Sequence, residues 1–297
     1  MKSKGFSLIE LMIALTIASI IILAVASIHQ TSYSTYRHTT RQSDAQEAGR
    51  MANYLLAFDI RNAGYRACGP APANRLRDPD FFLQGMNTRL QGWEVAPAEY
   101  FDPGEVKAGT DVIAITYAEL INVGVVEPYM PTPSAAIHIS TGSDIEQGDV
   151  LLITDCKKSD IFQVTASFDP QTSGTIGHGT GRVVDPGNAQ KELSGVYEGD
   201  TQIYRLVTHL YYVSPKDVLM RLRMVKGSFV AEDLVGHITN LQFRYRVESG
   251  SDLWQYFDAP GVSDWSKARV VDFKVVTDFP LNPFTFRDNV QLRNEQS

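Results

Sequence analysis

One apolar run at the start of the chain dominates the pattern of hydrophobic and polar positions. From position 6 to about position 28 the residues are apolar or small, and Glu10 is the only charged residue among them. About 20 such residues, at 1.5 Å each, cross a ~30 Å hydrocarbon core. Lys2 and Lys4 precede the run, and the first Lys or Arg after it is Arg37. The pattern predicts a membrane-spanning helix with its amino terminus in the cytoplasm and the rest of the chain outside.

The helical pattern continues beyond the apolar run. No proline occurs before Pro70, and apolar residues recur at helical spacing through Ala63. Glycine commonly follows the last turn of a helix, so Gly64 is expected to end it. Residues 29–64 are therefore predicted to be an amphipathic second half of the helix, in which Gly49 is a point of softening. The apolar positions on its buried face are expected to include Ala45, Ala48, Ala52, Leu55 and Leu56.

The remainder, residues 65–297, predicts a β-rich globular domain. Its β-branched and aromatic runs are short and are bounded by turn residues. A segment near 168–200 is rich in Gly, Ser, Thr and Pro and predicts a long surface loop between two linked β segments. The expected fold class is α+β, with one long N-terminal α-helix packed on an antiparallel β-sheet. The predicted strands are 111–117, 150–154, 161–165, 202–213, 218–224, 238–247 and 270–279.

Composition and charge narrow the function classes. The hydrophobic content of 43% and charged content of 21% are ordinary for a folded chain, and the net charge of −7 argues against a nucleic-acid-binding surface. The six histidines show no metal-ligand spacing, and no nucleophile or phosphate-loop motif occurs, so neither a catalytic site nor a cofactor or metal is predicted. Aspartates at 78–80 and 144–149 leave calcium binding open, although solvated turns are the favoured interpretation because neither fits an EF-hand spacing.

Glu10 is the unusual residue of the apolar run. An ionisable group in a membrane segment costs a few kcal/mol and is usually retained for a function. A secretory signal with cleavage after Ala26 leaves this residue unexplained. An uncleaved anchor explains it only as a side chain that reaches toward the lipid headgroups.

The segment Gly5-Phe6-Ser7-Leu8-Ile9-Glu10 resembles the class III leader of type IV pilins and of type II secretion pseudopilins. The resemblance implies that a prepilin peptidase removes residues 1–5 by cutting between Gly5 and Phe6. It also implies that Phe6 is then N-methylated and that Glu10 is the carboxylate kept for assembly. The new amine can pair with a carboxylate of a neighbouring subunit, which offsets the desolvation of both. Losing two lysines changes the charge to −7 − 2 = −9.

Later segments resemble a narrower group, the PilW-type minor pilins. The similar segments are Asp59–Cys68, Gly148–Cys156 and the closing Val290–Asn294. The resemblance implies a subunit that primes pilus assembly or forms part of a tip complex, supporting pilus biogenesis and twitching motility. The implied partners are other minor pilins, the major pilin, the prepilin peptidase, the inner-membrane assembly platform and a large tip adhesin. The implied location is the inner membrane, with a periplasmic C-terminal domain, and then the pilus on the cell surface.

Cys68 and Cys156 are the only cysteines. In an exported protein such a pair is more often bonded than free, and the absence of a Cys-x-x-Cys motif favours a structural disulfide over a redox role. Two other functions remain as alternatives: a pseudopilin of a type II secretion system, and a membrane-tethered periplasmic enzyme.

Overall fold

The structure is a computed structural model that describes residues 7–77, 89–140, 144–166, 174–181, 184–225, 228–248, 255–279 and 283–293. The chain divides into two compact units, Met1–Glu47 and Ala48–Ser297. A single helix, α1, spans Leu8–Asn62 and contributes to both units.

The first unit contains the apolar part of α1. Each large apolar side chain from Leu8 to Ile28 is more than half exposed, so this stretch buries nothing of its own. The hydroxyls of Thr16, Ser19 and Ser27 donate to backbone carbonyls one turn earlier, at 2.7 to 2.9 Å. Because these bonds satisfy the hydroxyls within the helix, all three residues are compatible with a lipid environment. The helix is long and apolar enough to cross a membrane.

The second unit begins with the last four turns of α1. Its buried residues Ala48, Ala52, Leu56 and Ile60 recur every four positions, so they share one face of the helix. This face packs into the main hydrophobic core together with residues from both large sheets. The packing of the helix on the sheets confirms the expected α+β fold class.

Gly64 follows the end of α1, as the sequence predicts. Its φ is +76°, and its N–H donates to the carbonyl of Thr116 at 2.8 Å. A Cβ on this residue would lie 2.8 Å from Cβ of Arg89. Both the left-handed backbone and the close approach therefore favour glycine here.

The described residues form fourteen strands. They are β1 (Ala73–Asn74), β2 (Leu90–Trp93), β3 (Val112–Gly124), β4 (Ile137–His138), β5 (Val150–Thr154), β6 (Ser159–Gln163), β7 (Thr175–Ile176), β8 (Gln202–Val213), β9 (Leu219–Val225), β10 (Ser228–Val235), β11 (Ile238–Val247), β12 (Gln255–Phe257), β13 (Ala268–Thr277) and β14 (Thr285–Gln291).

The strands form two large sheets and one small one. The larger sheet has the order β1-β6-β5-β8-β3-β2, with β9 paired to β8 and β10 paired to β9. The second sheet has the order β12-β11-β13-β14, and β4 pairs with β7. All pairs between named strands are antiparallel except β1 with β6.

The division of the sheets differs from the prediction. β8, β9 and β10 follow the segment 168–200 but extend the larger sheet, so the expected pair of β segments on either side of this loop is wrong. The expectation of a surface loop is also wrong for Ile176, Leu193 and Tyr197, which are almost completely buried in a second core. Residues 167–173 and 182–183 lie outside the described residues.

Candidate functional site

The predicted processing and assembly residues lie at the start of the chain. Gly5 and Phe6 are outside the described residues. The N–H of Ser7 donates to Oε2 of Glu10 at 3.0 Å, immediately before the first residue of α1. Glu10 is the third helical residue, so this bond is one half of the capping-box arrangement. The carboxylate thereby satisfies one of the N–H groups that a helix start leaves unpaired.

The two cysteines meet on the globular unit. A disulfide joins Cys68 and Cys156, whose Cα atoms are 4.9 Å apart and which are separated by 88 positions in sequence. This Cα distance is ordinary for a disulfide. The hydroxyl of Thr154 donates to the carbonyl of Cys68 at 3.1 Å. The segment after α1 is therefore bound both covalently and by a hydrogen bond to the end of β5.

A buried polar cluster lies where α1 meets the larger sheet. Asp59 of α1 is only 3% exposed. It accepts hydrogen bonds from the hydroxyls of Tyr117 at 3.0 Å and Tyr211 at 2.7 Å, and it lies 2.6 Å from Nδ1 of His209. We call these four residues the Asp59 cluster. They connect one helix to two neighbouring strands, β3 and β8.

The electrostatics of the Asp59 cluster favour an ionised carboxylate. Burial alone would raise the pKa of Asp59, but hydrogen bonding and charge interaction with His209, together with the two tyrosine hydrogen bonds, outweigh burial and lower this pKa. Burial and the nearby Asp59 carboxylate raise the pKa values of Tyr117 and Tyr211. Both phenols therefore stay protonated and act as donors.

The Asp59 cluster adjoins a cavity of about 630 Å³. The exposed rings of Tyr54 and Phe58, stacked with centroids 6.5 Å apart, lie at its helix side. On its sheet side Arg205 bonds Asp144 at 3.1 Å and Asp149 at 3.2 Å. Asp144 and Asp149, one of the two candidate calcium-binding pairs, thus bind an arginine. The other candidate pair, at residues 78–80, lies outside the described residues. Among the described residues, no three His, Cys, Asp or Glu side chains are grouped to hold a metal ion.

The members of the Asp59 cluster are far apart in the sequence. Asp59 and His209 are 150 positions apart, and no local motif joins them. The alternation of His209 and Tyr211 in β8 was a usable signal, because residues two apart point to the same face of a sheet. The buried polar groups of Tyr117, His209 and Tyr211 require a hydrogen-bond partner, and Asp59 is the partner of all three. The contacts observed in the cluster hold α1 on the sheet.

One comparison with known proteins bears on the amino terminus. A protein-family model of the prokaryotic N-terminal methylation motif matches residues 1–26. Neither curated proteins nor solved structures give a significant match. The motif supports a type IV pilin-like or pseudopilin-like protein, and the one apolar helix found among the described residues suggests a membrane anchor. This class is generally non-enzymatic.

Proposed function

We propose that this chain is a minor pilin of a type IV pilus, of the PilW type, that primes pilus assembly and takes part in the tip complex. The methylation motif at residues 1–26 is the observation that carries the proposal. The segments Asp59–Cys68 and Gly148–Cys156, with their resemblance to PilW-type sequences, support the narrower assignment. In this role the subunit supports pilus biogenesis and twitching motility.

The proposal assigns a role to each part of the chain. Residues 1–5 are the leader, 6–28 the membrane and filament-core segment, and 29–64 the amphipathic half of the helix. Residues 65–297 form a globular domain that faces the periplasm and, after assembly, the cell surface. The partners are the prepilin peptidase, the assembly platform, the major pilin, other minor pilins and a large tip adhesin.

Glu10 is the assembly residue in this proposal. Cleavage between Gly5 and Phe6 places a positive amine in an apolar segment, where an unpaired charge is costly. The carboxylate of Glu10 in one subunit pairs with the amine of Phe6 in its neighbour, which compensates both charges and sets the subunit register.

The deciding experiment is intact-mass measurement and amino-terminal sequencing of the protein from membranes of cells with and without prepilin peptidase. We expect a chain that begins at N-methylated Phe6 only when the peptidase is present. A chain that begins at Met1 in both strains, or after Ala26, contradicts the proposal.

A pseudopilin of a type II secretion system is the second candidate, because the methylation motif is shared by both groups. Deletion of the gene distinguishes them. A minor pilin predicts loss of surface pili and twitching with intact exoprotein secretion, whereas a pseudopilin predicts the reverse.

A further inference from the structure

A second cavity, of about 380 Å³, lies beside the disulfide. Its wall is formed by the segment after α1, from Gly64 to Gly69, together with Cys156 and residues of β8. Arg293, near the carboxyl end of the described chain, completes the wall. This cavity is separate from the cavity beside the Asp59 cluster.

The cavity is cationic within an acidic protein. Two of its wall residues, Arg66 and Arg293, carry positive charge, and none of the described residues that line it is Asp or Glu. The whole chain has a net charge of −7, so the sign of the charge at this cavity is opposite to that of the protein. Asp155 precedes the wall residue Cys156, but its carboxylate has other partners. It accepts hydrogen bonds from the N–H groups of Lys157 and Lys158 at 2.9 Å each and pairs with the Lys158 ammonium.

Among the described residues, Arg293 is held in place by contacts other than a carboxylate. Its guanidinium carbon lies 4.0 Å from the centroid of the Tyr65 ring, within cation–π distance. Its backbone N–H donates to the carbonyl of Arg61 at 3.1 Å, which fixes the chain at the end of α1. The Tyr204 ring contacts Tyr65 edge to face at 6.2 Å and supports it from the sheet. A guanidinium stacked in this way retains N–H groups at its edge for a planar acceptor.

The backbone of the wall supplies further donors. Ala67 and Gly69 have positive φ values, +64° and +96°, whereas Cys68 between them does not have a positive φ. Alternation of this kind brings successive N–H groups to one side of the chain, as in anion-binding nests. Within the described part of the chain, the N–H groups of Ala67, Cys68 and Gly69 donate to no acceptor. The disulfide fixes this segment against the end of β5.

We propose that this cavity binds an oxyanion, a carboxylate or phosphate group, between the Arg293 guanidinium group and the N–H groups of residues 67–69. Planar guanidinium groups match both anions in geometry and charge. The backbone donors add directional bonds that a chloride ion cannot use as fully. This site is independent of the proposed role in a pilus.

The test uses the full chain in nonionic detergent micelles and inorganic phosphate as the probe. Phosphate is titrated calorimetrically against chloride at constant ionic strength. We expect saturable phosphate binding, an affinity about tenfold lower for Arg293→Gln, and an intermediate affinity for Arg293→Lys, which keeps the charge but loses the planar fork.

Arg244→Gln is the matched control. Arg244 also lies over a tyrosine ring, 5.8 Å from the centroid of Tyr256, but on an exposed part of the second sheet. We expect this variant to bind phosphate as the wild type does, and all variants to remain folded in chloride at the temperature of the titration. Absence of phosphate binding beyond that of chloride overturns the proposal, as does equal affinity in Arg293→Gln and the wild type.

The carrier of the anion is identified by a second arm in the same micelles. Acetate and glycerol phosphate are titrated as competitors of inorganic phosphate. Competition by acetate assigns the site to a carboxylate, and competition by glycerol phosphate alone assigns it to a phosphate ester.

Discussion

Gly49 of α1 and Phe286 of β14 approach so closely that a Cβ on the glycine would lie 1.9 Å from Cε2 of the phenylalanine ring. The sequence pattern suggested only that Gly49 softens the helix. The structure gives it a packing role, because the edge strand of the second sheet reaches the helix backbone there.

Gly49→Ala is therefore expected to destabilise the globular unit. Alanine favours a helix over glycine by about 1 kcal/mol, but forcing the Phe286 ring aside costs about 1–3 kcal/mol. We expect a net loss of about 1 kcal/mol in the free energy of unfolding. Denaturant unfolding of the full chain in detergent, followed by near-UV circular dichroism, measures it.

The double variant supplies the control. Phe286→Ala removes the obstructing ring, so in this background Gly49→Ala is expected to change sign and stabilise the helix. If Gly49→Ala destabilises equally in both backgrounds, its effect does not come from contact with Phe286.

The sequence predicted the helix, its end at Gly64 and most central strands, because these carry strong periodic signals. It missed the short strands β1, β2, β4, β7 and β12, and also β10 and β14, which are longer edge strands. β10 places Glu232 and Asp233 in its middle, and β14 places Arg287, Asp288 and Asn289 there, so neither shows apolar alternation. Charged side chains are typical of edges, where they discourage pairing with other chains. The Asp59 cluster was missed for a different reason, since only the folded chain brings its members together.

Asp59→Asn is expected to weaken the attachment of α1. The substitution keeps the shape of the side chain but replaces an ionised carboxylate, which contacts three polar side chains, by a neutral amide. The amide nitrogen cannot accept a hydrogen bond. Because it disrupts a buried charge-assisted network, we expect a loss of about 3 kcal/mol at neutral pH, measured by denaturant unfolding.

The pH dependence gives this prediction a second readout. The folded-state pKa of Asp59 is lowered, so its contribution is present above the unfolded pKa near 3.8 and is lost as the pH falls through the folded value. The destabilisation caused by Asp59→Asn should shrink in strong acid. A difference between variant and wild type that is the same at pH 2 and pH 7 would argue against an ionised carboxylate.

The contribution of Asp111 to stability is expected to have the opposite pH dependence to that of Asp59. Burial raises its pKa to about 6, although the N–H of Phe243 donates to its carboxylate at 2.7 Å, and Glu94 and Asp258 raise it further. Because the folded pKa exceeds the unfolded value, the protonated form is favoured by folding, and ionisation costs stability as the pH rises from about 4 to about 6.

Asp111→Asn removes this cost and keeps an oxygen for the N–H of Phe243. The variant should be more stable than the wild type at pH 8, by on the order of 1–3 kcal/mol, and nearly equal to it at pH 4. Thermal unfolding at the two pH values tests this. Equal stabilities at pH 8 would mean that Asp111 ionises without penalty.

Reduction of the disulfide is expected to destabilise the globular unit strongly. The bond between Cys68 and Cys156 closes a loop of 88 positions, for which the chain-entropy account gives about 4–5 kcal/mol. Unfolding with and without a phosphine reductant measures the loss. The Cys68→Ser, Cys156→Ser double variant should match the reduced protein and be insensitive to the reductant, and a wild type that is equally insensitive would mean that the bond is absent.

Glu10 can act as a helix cap, through its bond from the N–H of Ser7, or as a charge partner for a neighbouring subunit. Two substitutions separate these roles. Glu10→Gln keeps an oxygen acceptor for the cap but removes the charge, whereas Glu10→Ala removes both. If the charge sets subunit register, both variants should be processed after Gly5 and inserted, yet fail to enter the filament, as judged by immunoblotting of sheared pili. Filament entry by Glu10→Gln but not by Glu10→Ala would mean that the cap, and not the charge, is what assembly requires.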